Sequence, residues 1–209
     1  MDSVTLYTHP LSPYGWTTAL IAAEKGVPYV LAPAETDQPA YLALHPFRKM
    51  PVLRHGELVV YETLAIAHYL DRAFSGPALQ PADYQSQTAM LRWISVVNSY
   101  AFPVMNGLMK QQMARFFDKG GVEPPDLMTP FRGQVDLIEA TLRDQPFLVG
   151  DRLTLADAFL FPLLQTVSLL PDAAAVLAKA PATVGWLERI RGRPSFAATS
   201  PLGGNAGSI

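Results

Sequence analysis

Hydrophobic and polar positions follow two different periods along the first third of the chain. Alternation with the period of a strand recurs in short runs, and between the runs apolar residues are spaced as on one face of a helix. The predicted elements, in chain order, are a strand at residues 4–7, a helix at 13–25, a strand at 29–32, a short helix at 40–44, hairpin strands at 51–54 and 58–61, and a helix at 62–74. This order predicts a mixed four-stranded sheet with helices on its faces.

Only helical spacing is found after residue 82. The composition of residues 75–81, with one glycine and two prolines, predicts a linker, which we place at 77–82. We therefore expect one domain at 1–76 and an all-helical domain at 83–209. The first helix of that domain should run to about Phe117 and bend near Pro103 and Gly107. The other predictions are helices at 130–142, 172–179 and 183–191, a capped helix start at 154–157, a loop at 119–125 and a flexible tail at 203–208.

Composition and charge exclude several functions. The 209 residues carry a formal net charge of -2, so nothing predicts binding to nucleic acid or to an anionic membrane. No cysteine is present, which rules out disulfides and a thiol nucleophile of the protein itself. The four histidines lack the spacing of metal ligands, and we predict no metal site. The chain opens without a secretory signal pattern, and we expect a cytoplasmic protein.

Several segments, in this order, resemble cytosolic glutathione S-transferases over nearly the whole chain. They are LYTHPLSP at 6–13, HPFRKMPVL at 45–53, YETLAI at 61–66, FLVGD with TLAD at 147–157, and WLER with RPSF at 186–196. The first segment is similar to the serine-type members, and the whole suggests a phi- or theta-like bacterial class. The resemblance implies a thioredoxin-like first domain, a homodimer, and glutathione as co-substrate without a metal. The family more often has Asn, Gly and Ser where this chain has His45, Arg48 and Thr63.

Two segments are candidates for holding glutathione. Glu62 could accept from the γ-glutamyl ammonium group and Thr63 could hold the α-carboxylate at a positive helix end, although both residue types also favour helix starts without a ligand. The resemblance implies that Met50-Pro51 is a cis bond that presents Met50 to the cysteinyl part, by strand addition. An ordinary trans proline is the alternative. Lys49, with Arg48 as its competitor, is our candidate for the glycyl carboxylate.

Ser12 is our candidate for the catalytic hydroxyl. A free thiol with a pKa of about 8.5 is only slightly ionised at neutral pH, and a hydroxyl donated to sulfur at a positive helix end favours the thiolate. Ser12 could instead serve only as the cap of its helix. Tyr7 and Tyr14 are the alternative hydroxyls.

A pocket for the second substrate, a small hydrophobic electrophile, is predicted on the first helix of the second domain. Met105, Met109 and Met113 recur every four residues, with Tyr100 and Phe116 nearby, and such surfaces adapt to varied apolar ligands. The alternative is that this face is core or dimer contact.

The predicted function is conjugation of the glutathione thiolate to such an electrophile, in detoxification. A glutathione-dependent isomerase or dehalogenase, and a non-catalytic module that binds glutathione or a partner, remain alternatives.

Overall fold

The fold is described from a computed structural model of the chain, for residues 3–116 and 124–201. The predicted tail and most of the predicted loop at 119–125 lie outside these residues. Contacts divide the chain into two units. The first holds the residues up to Leu79 together with those from Arg191 onward, and the second runs from Gln80 to Ile190. This division differs from the predicted domain limits at the C-terminal end, where the last helix groups with the first unit.

The sheet of the first unit has four strands in the spatial order β2-β1-β3-β4. β1 pairs in parallel with β2, and antiparallel pairing joins β1 to β3 and β3 to β4. The predicted mixed sheet is therefore confirmed. The strands are β1 (Val4–Thr8), β2 (Tyr29–Pro33), β3 (Val52–His55) and β4 (Leu58–Tyr61).

Two helices provide the core of this unit. They are α1 (Pro13–Glu24) and α2 (Thr63–Ala73), which contact each other and the sheet. Leu20 and Ile21 of α1 are fully buried, and so are Ile66 and Leu70 of α2. Leu6 of β1 and Leu53 of β3 are equally buried. Along the chain, α1 connects β1 to β2. Two parallel neighbouring strands need such a long crossover connection. The short helix predicted at 40–44 is a single 3-10 segment, Pro39–Ala43.

The last described helix, α9 (Pro194–Thr199), is fixed to α1. Arg193 donates from Nε and Nη2 to the two carboxylate oxygens of Glu24, at 2.6 and 2.7 Å, and the Ser195 hydroxyl donates to the same carboxylate. Trp16 Nε1 donates to the Thr199 hydroxyl over 3.1 Å. Burial alone would raise the pKa of Glu24, but its bonds to Arg193 and Ser195 hold that pKa below its usual value.

All regular elements among the described residues of the second unit are helical, and turns and loops connect them. Its elements are α3 (Tyr84–Val96), a π segment (Val97–Ala101), α4 (Phe102–Phe116), α5 (Met128–Leu142), α6 (Leu155–Val167), α7 (Pro171–Leu177) and α8 (Pro181–Arg191). The predicted bend of the first long helix corresponds to the π segment, just before Pro103. Proline has no amide hydrogen for the α-helical pattern, and here the Phe102 amide already donates five residues back, to the Val97 carbonyl.

The predicted capped start of α6 is present, and its Asp157 forms hydrogen bonds to the segment before α6, to the cap residue itself and to α8. Asp157 accepts from the Thr154 amide through Oδ2, and through Oδ1 from the Leu148 amide and Trp186 Nε1, each over 2.9 Å. The aspartate side chain is fully buried, and burial raises its pKa. These bonds explain the segment 147–157 as a structural motif of the helical core.

Neither a membrane span nor a metal cluster is seen in the described part of the chain. None of its helices is both long and apolar enough to cross a bilayer. Within the same residues, no three histidine or acidic side chains are grouped as ligands for a metal ion.

Candidate active site

Ser12 caps the first turn of α1. Its Oγ accepts from the Gly15 amide over 3.1 Å, and its own amide donates to the His9 carbonyl over 2.9 Å. The side chain is half-buried. The oxygen serves as acceptor in the cap, and no acceptor for the hydroxyl hydrogen is found among the described residues, so this hydrogen is available to a ligand. Both roles considered for Ser12, helix cap and donor to a ligand, are therefore compatible in this geometry.

Thr8 lies directly behind this turn. Its side chain is only 8% exposed, and its hydroxyl is a buried polar atom for which the described residues offer no hydrogen-bond partner. A Cβ on Gly15 would lie 1.8 Å from this hydroxyl oxygen. The absence of a side chain at Gly15 thus allows the end of β1 and the start of α1 to approach closely, with Ser12 bonded to the same glycine.

The alternative hydroxyls have different surroundings. Tyr7 is half-exposed in β1, opposite Val52, on the face of the strand away from Thr8. Tyr14 lies in the first turn of α1, where burial and the negative charge of Glu62 raise its pKa. A phenol with a raised pKa is a weaker hydrogen-bond donor to a thiolate than an unperturbed one. The effect of the Glu62 charge on Tyr14 also indicates that Glu62 lies near the first turn of α1.

Glu62 immediately precedes α2 in an unusual conformation. Its backbone φ is +71°, a value that residues other than glycine rarely adopt. Such backbone outliers often occur at functional sites. Its carbonyl accepts from the Ile66 amide, but its exposed carboxylate makes no capping bond to the helix. A purely structural role as a helix cap therefore does not explain the Glu62 side chain. Thr63, half-exposed, is the first residue of α2.

The Met50–Pro51 peptide bond is cis, as predicted. Pro51 is buried, and the ladder between β1 and β3 starts only at Val52. Within the described residues, neither the amide nor the carbonyl of Met50 has a hydrogen-bond partner. Met50 therefore offers a free backbone edge to an extended ligand.

The loop before Met50 is held by its own hydrogen bonds. The buried Tyr41 donates its hydroxyl to the Lys49 carbonyl over 3.0 Å, and its carbonyl accepts from the His45 amide. The side chains of Arg48 and Lys49 are exposed, and Arg48 has a φ of +52°. Both cations are therefore accessible to an anionic group.

Sequence reasoning missed His45, which is 2% exposed within this loop. Its Nδ1 accepts from the Phe47 amide over 3.2 Å, and its ring lies 4.9 Å from the Tyr61 ring. Burial lowers the pKa of His45, and the charge of Lys49 adds to this, whereas Glu62 acts in the opposite direction. The ring bonds its own backbone two residues on, as Asn and Asp side chains often do, but histidine is not a common residue in such turns and gave no signal in the sequence.

The five residues predicted for the electrophile pocket do not share one environment. Tyr100, Met113 and Phe116 are 65%, 50% and 81% exposed, and Met109 is half-buried. Met105 has no exposed surface and is part of the buried core. Exposure therefore rises along this helical face, from the buried Met105 through the half-buried Met109 to the exposed Met113.

A small cavity in the second unit lies elsewhere on α4. It has a volume of about 50 Å³, and its lining includes Leu108, Arg115, Met128 and Asp172. None of the predicted pocket residues lines it. Pockets for drug-sized ligands measure roughly 300–1,000 Å³, so this cavity is too small for such a molecule.

Comparison with known proteins gives matches over both parts of the chain. The family model described as "Glutathione S-transferase, N-terminal domain" matches residues 6–78, and "Glutathione S-transferase, C-terminal domain" matches 104–194. Glutathione S-transferase 3 of Zea mays is 31% identical, with 95% of this chain and 94% of the relative covered.

Solved structures agree with these matches. The apo form of glutathione S-transferase III is similar with a TM-score of 0.85 and 30% identity, over 96% of both chains. Glutathione transferase F7 from Populus trichocarpa is similar with a TM-score of 0.84 and 25% identity, over 94% of this chain and 97% of that one. The fold, the two family models and the maize relative together show that the chain belongs to the glutathione S-transferase family.

Proposed function

We propose that this protein is a glutathione transferase that joins the thiolate of glutathione to a small hydrophobic electrophile. The observation that carries the proposal is a set of polar groups in the first unit that have no hydrogen-bond partner among the residues that the structure describes. They are the uncapped carboxylate of Glu62, the free backbone edge of Met50 and the hydroxyl hydrogen of Ser12. These groups complement an ammonium, a peptide backbone and a sulfur, which are all present in glutathione.

Each anchor takes one part of the tripeptide. Glu62 accepts from the γ-glutamyl ammonium, while the Thr63 hydroxyl and the start of α2 hold the neighbouring carboxylate. Met50 pairs with the cysteinyl backbone beside Pro51. Lys49 takes the glycyl carboxylate, with Arg48 as the second candidate.

Ser12 stabilises the nucleophile. Its hydroxyl donates to the sulfur while its oxygen continues to accept from Gly15, and the positive end of α1 adds to the effect. Each unit by which the thiol pKa falls corresponds to about 1.4 kcal/mol in favour of the thiolate. The thiol proton leaves to solvent, the sulfur forms a bond to the electrophilic carbon, and the leaving group departs with its bonding electron pair.

The electrophile lies against the exposed part of α4 in this proposal. Tyr100, Met109, Met113 and Phe116 offer an aromatic and thioether surface that suits varied apolar molecules. Family membership further leads us to propose a serine-type, phi- or theta-like enzyme that acts in the cytoplasm, as a homodimer, in detoxification.

Steady-state turnover of glutathione with an activated aryl chloride tests the proposal, with chloride release and thioether formation as readouts. We expect one thioether and one chloride for each glutathione consumed. Calorimetric titration with glutathione should be run beside it. Saturable glutathione binding without turnover of an aryl chloride, an alkyl halide or an enone would identify a binding module, and the proposal would be wrong.

A further inference from the structure

His45 connects two parts of the chain that hold proposed glutathione anchors. Through Nδ1 it accepts from the Phe47 amide, and so its ring is attached to the loop that ends in Lys49 and Met50. The ring also packs at an angle against Tyr61, the residue immediately before Glu62, with ring centroids 4.9 Å apart. No other histidine of the described residues lies between these two segments.

The surroundings of the ring select its uncharged form. An acceptor at Nδ1 requires the ring proton to be on Nε2, because a protonated ring has N–H groups at both positions. With a second proton, Nδ1 would face the Phe47 amide donor to donor. The charged groups that act on the ring are Lys49, from its own loop, and Glu62, from the turn before α2. Tyr61 covers the ring from β4, and burial at 2% exposure keeps water from replacing a lost bond.

We propose that His45 is a positioning residue of the glutathione site, whose neutral imidazole holds the loop of Lys49 and Met50 against the Tyr61–Glu62 turn. The inference rests on the proposed function, since it concerns the same site. Protonation of His45 releases the Phe47 amide and separates the two segments. Glutathione affinity therefore falls as His45 becomes protonated at lower pH.

The experiment is calorimetric titration with S-methylglutathione between pH 7.5 and pH 5. This ligand has no thiol, and its carboxylates and ammonium group keep their charge over the range. The affinity of the wild-type protein should fall roughly 5- to 10-fold, as expected when one buried hydrogen bond is lost. His45→Asn keeps an oxygen acceptor that does not titrate, and its affinity should change by less than about 2-fold.

Two further variants separate positioning from a general effect. His45→Ala lacks the acceptor at every pH, so it should bind more weakly than His45→Asn throughout and show a flat profile. His55→Asn is the matched control, because His55 lies in the same unit but pairs with Tyr69, 2.7 Å from its hydroxyl. It should retain the pH profile of the wild type. Thermal unfolding at each pH confirms that all four proteins are folded, and the Asn variants carry the test if His45→Ala is not.

The possible outcomes are distinct. Parallel pH profiles for the wild type and His45→Asn would overturn the role of His45 while leaving glutathione binding established. A pH-independent wild type would do the same. A wild type that does not bind S-methylglutathione at pH 7.5 would overturn the proposed function, and this inference with it.

Discussion

At the level of single residues, the hydroxyl of Ser12 caps α1 and, in the proposed mechanism, also donates to the sulfur of glutathione. Ser12→Ala should remove both, so we expect a higher thiol pKa for bound glutathione, lower turnover, and a loss of about 1 kcal/mol in the free energy of unfolding. The loss of turnover should be modest, since the end of α1 still favours the thiolate. The thiolate absorbance of the complex, followed against pH, measures the effect. An unchanged titration for Ser12→Ala with an upward shift for Tyr7→Phe would assign the catalytic hydroxyl to Tyr7.

Glu62 and Thr63 should act on binding rather than on folding. Glu62→Gln keeps the shape of the side chain but removes its charge, and Thr63→Ala removes a hydroxyl. Each loses a charge-assisted contact with the ligand that is typically worth about 1.5–3 kcal/mol. Calorimetry should show the weaker binding, while urea unfolding should change little because the Glu62 side chain does not cap α2. Equal affinities for wild type and both variants would contradict the assignment.

Individual side-chain environments were the least predictable part of the site. The residue types at Ser12, Glu62 and Met50 point to their chemistry, because hydroxyl, carboxylate and X-Pro patterns have local meaning. The left-handed backbone of Glu62 and the burial of His45 depend on how the loop and β4 come together, and no local pattern contains that information. Met105 illustrates the same limit, since helical spacing groups residues on a face but does not say which of them remains exposed.

At the level of elements, the contact between β1 and α1 depends on the absence of a side chain at Gly15. In Gly15→Ala, the new Cβ would overlap the Thr8 hydroxyl and lie 2.9 Å from Thr8 Cβ. We expect a loss of about 1–3 kcal/mol from overpacking, together with lower turnover, because Ser12 is bonded to the Gly15 amide. Urea unfolding and turnover measure the two effects.

Gly133→Ala is the matched control for this prediction. Gly133 lies inside α5, and a Cβ there would meet nothing within 4 Å. Alanine should stabilise this helix by about 0.5–1 kcal/mol. The double variant Thr8→Gly/Gly15→Ala should recover part of the lost stability and turnover. If neither recovers, the close approach of Thr8 is not the reason why residue 15 must lack a side chain.

Secondary structure followed the sequence closely where local signals were strong. The serine–proline start of α1, the hairpin of β3 and β4, and the capped start of α6 were all predicted, since each depends on short-range bonding. The π segment was not, because proline signals a disruption of the helix without specifying how the chain rearranges its hydrogen bonds.

At the level of the whole molecule, the homodimer remains a prediction. In this region Trp93, Ile94 and Val97 are buried within the chain itself, whereas Leu91 on α3 is 48% exposed and remains available for a contact with a second copy. Sedimentation should nevertheless give about twice the monomer mass of 22.8 kDa.

Leu91→Asp should shift the equilibrium toward monomer, because a charge in an apolar interface is costly. Leu137→Asp on α5, where the leucine is 49% exposed, is the control and should not. A constant monomer mass across concentrations would refute the dimer.

The attachment of α9 to α1 has a consequence for the order of events on the ribosome. Translation delivers Glu24 and Trp16 early, but their partners Arg193 and Thr199 only after all the helices of the second unit. Until then the nascent first unit lacks the ion pair and hydrogen bonds that the α9 segment gives to Glu24 and Trp16, so α1 is held less firmly. A nascent chain arrested after α8 has emerged should therefore show faster amide hydrogen exchange in α1 than one arrested after α9, while α6 exchanges equally slowly in both. The glutathione-binding unit, although translated first, should be the last part of the protein to mature.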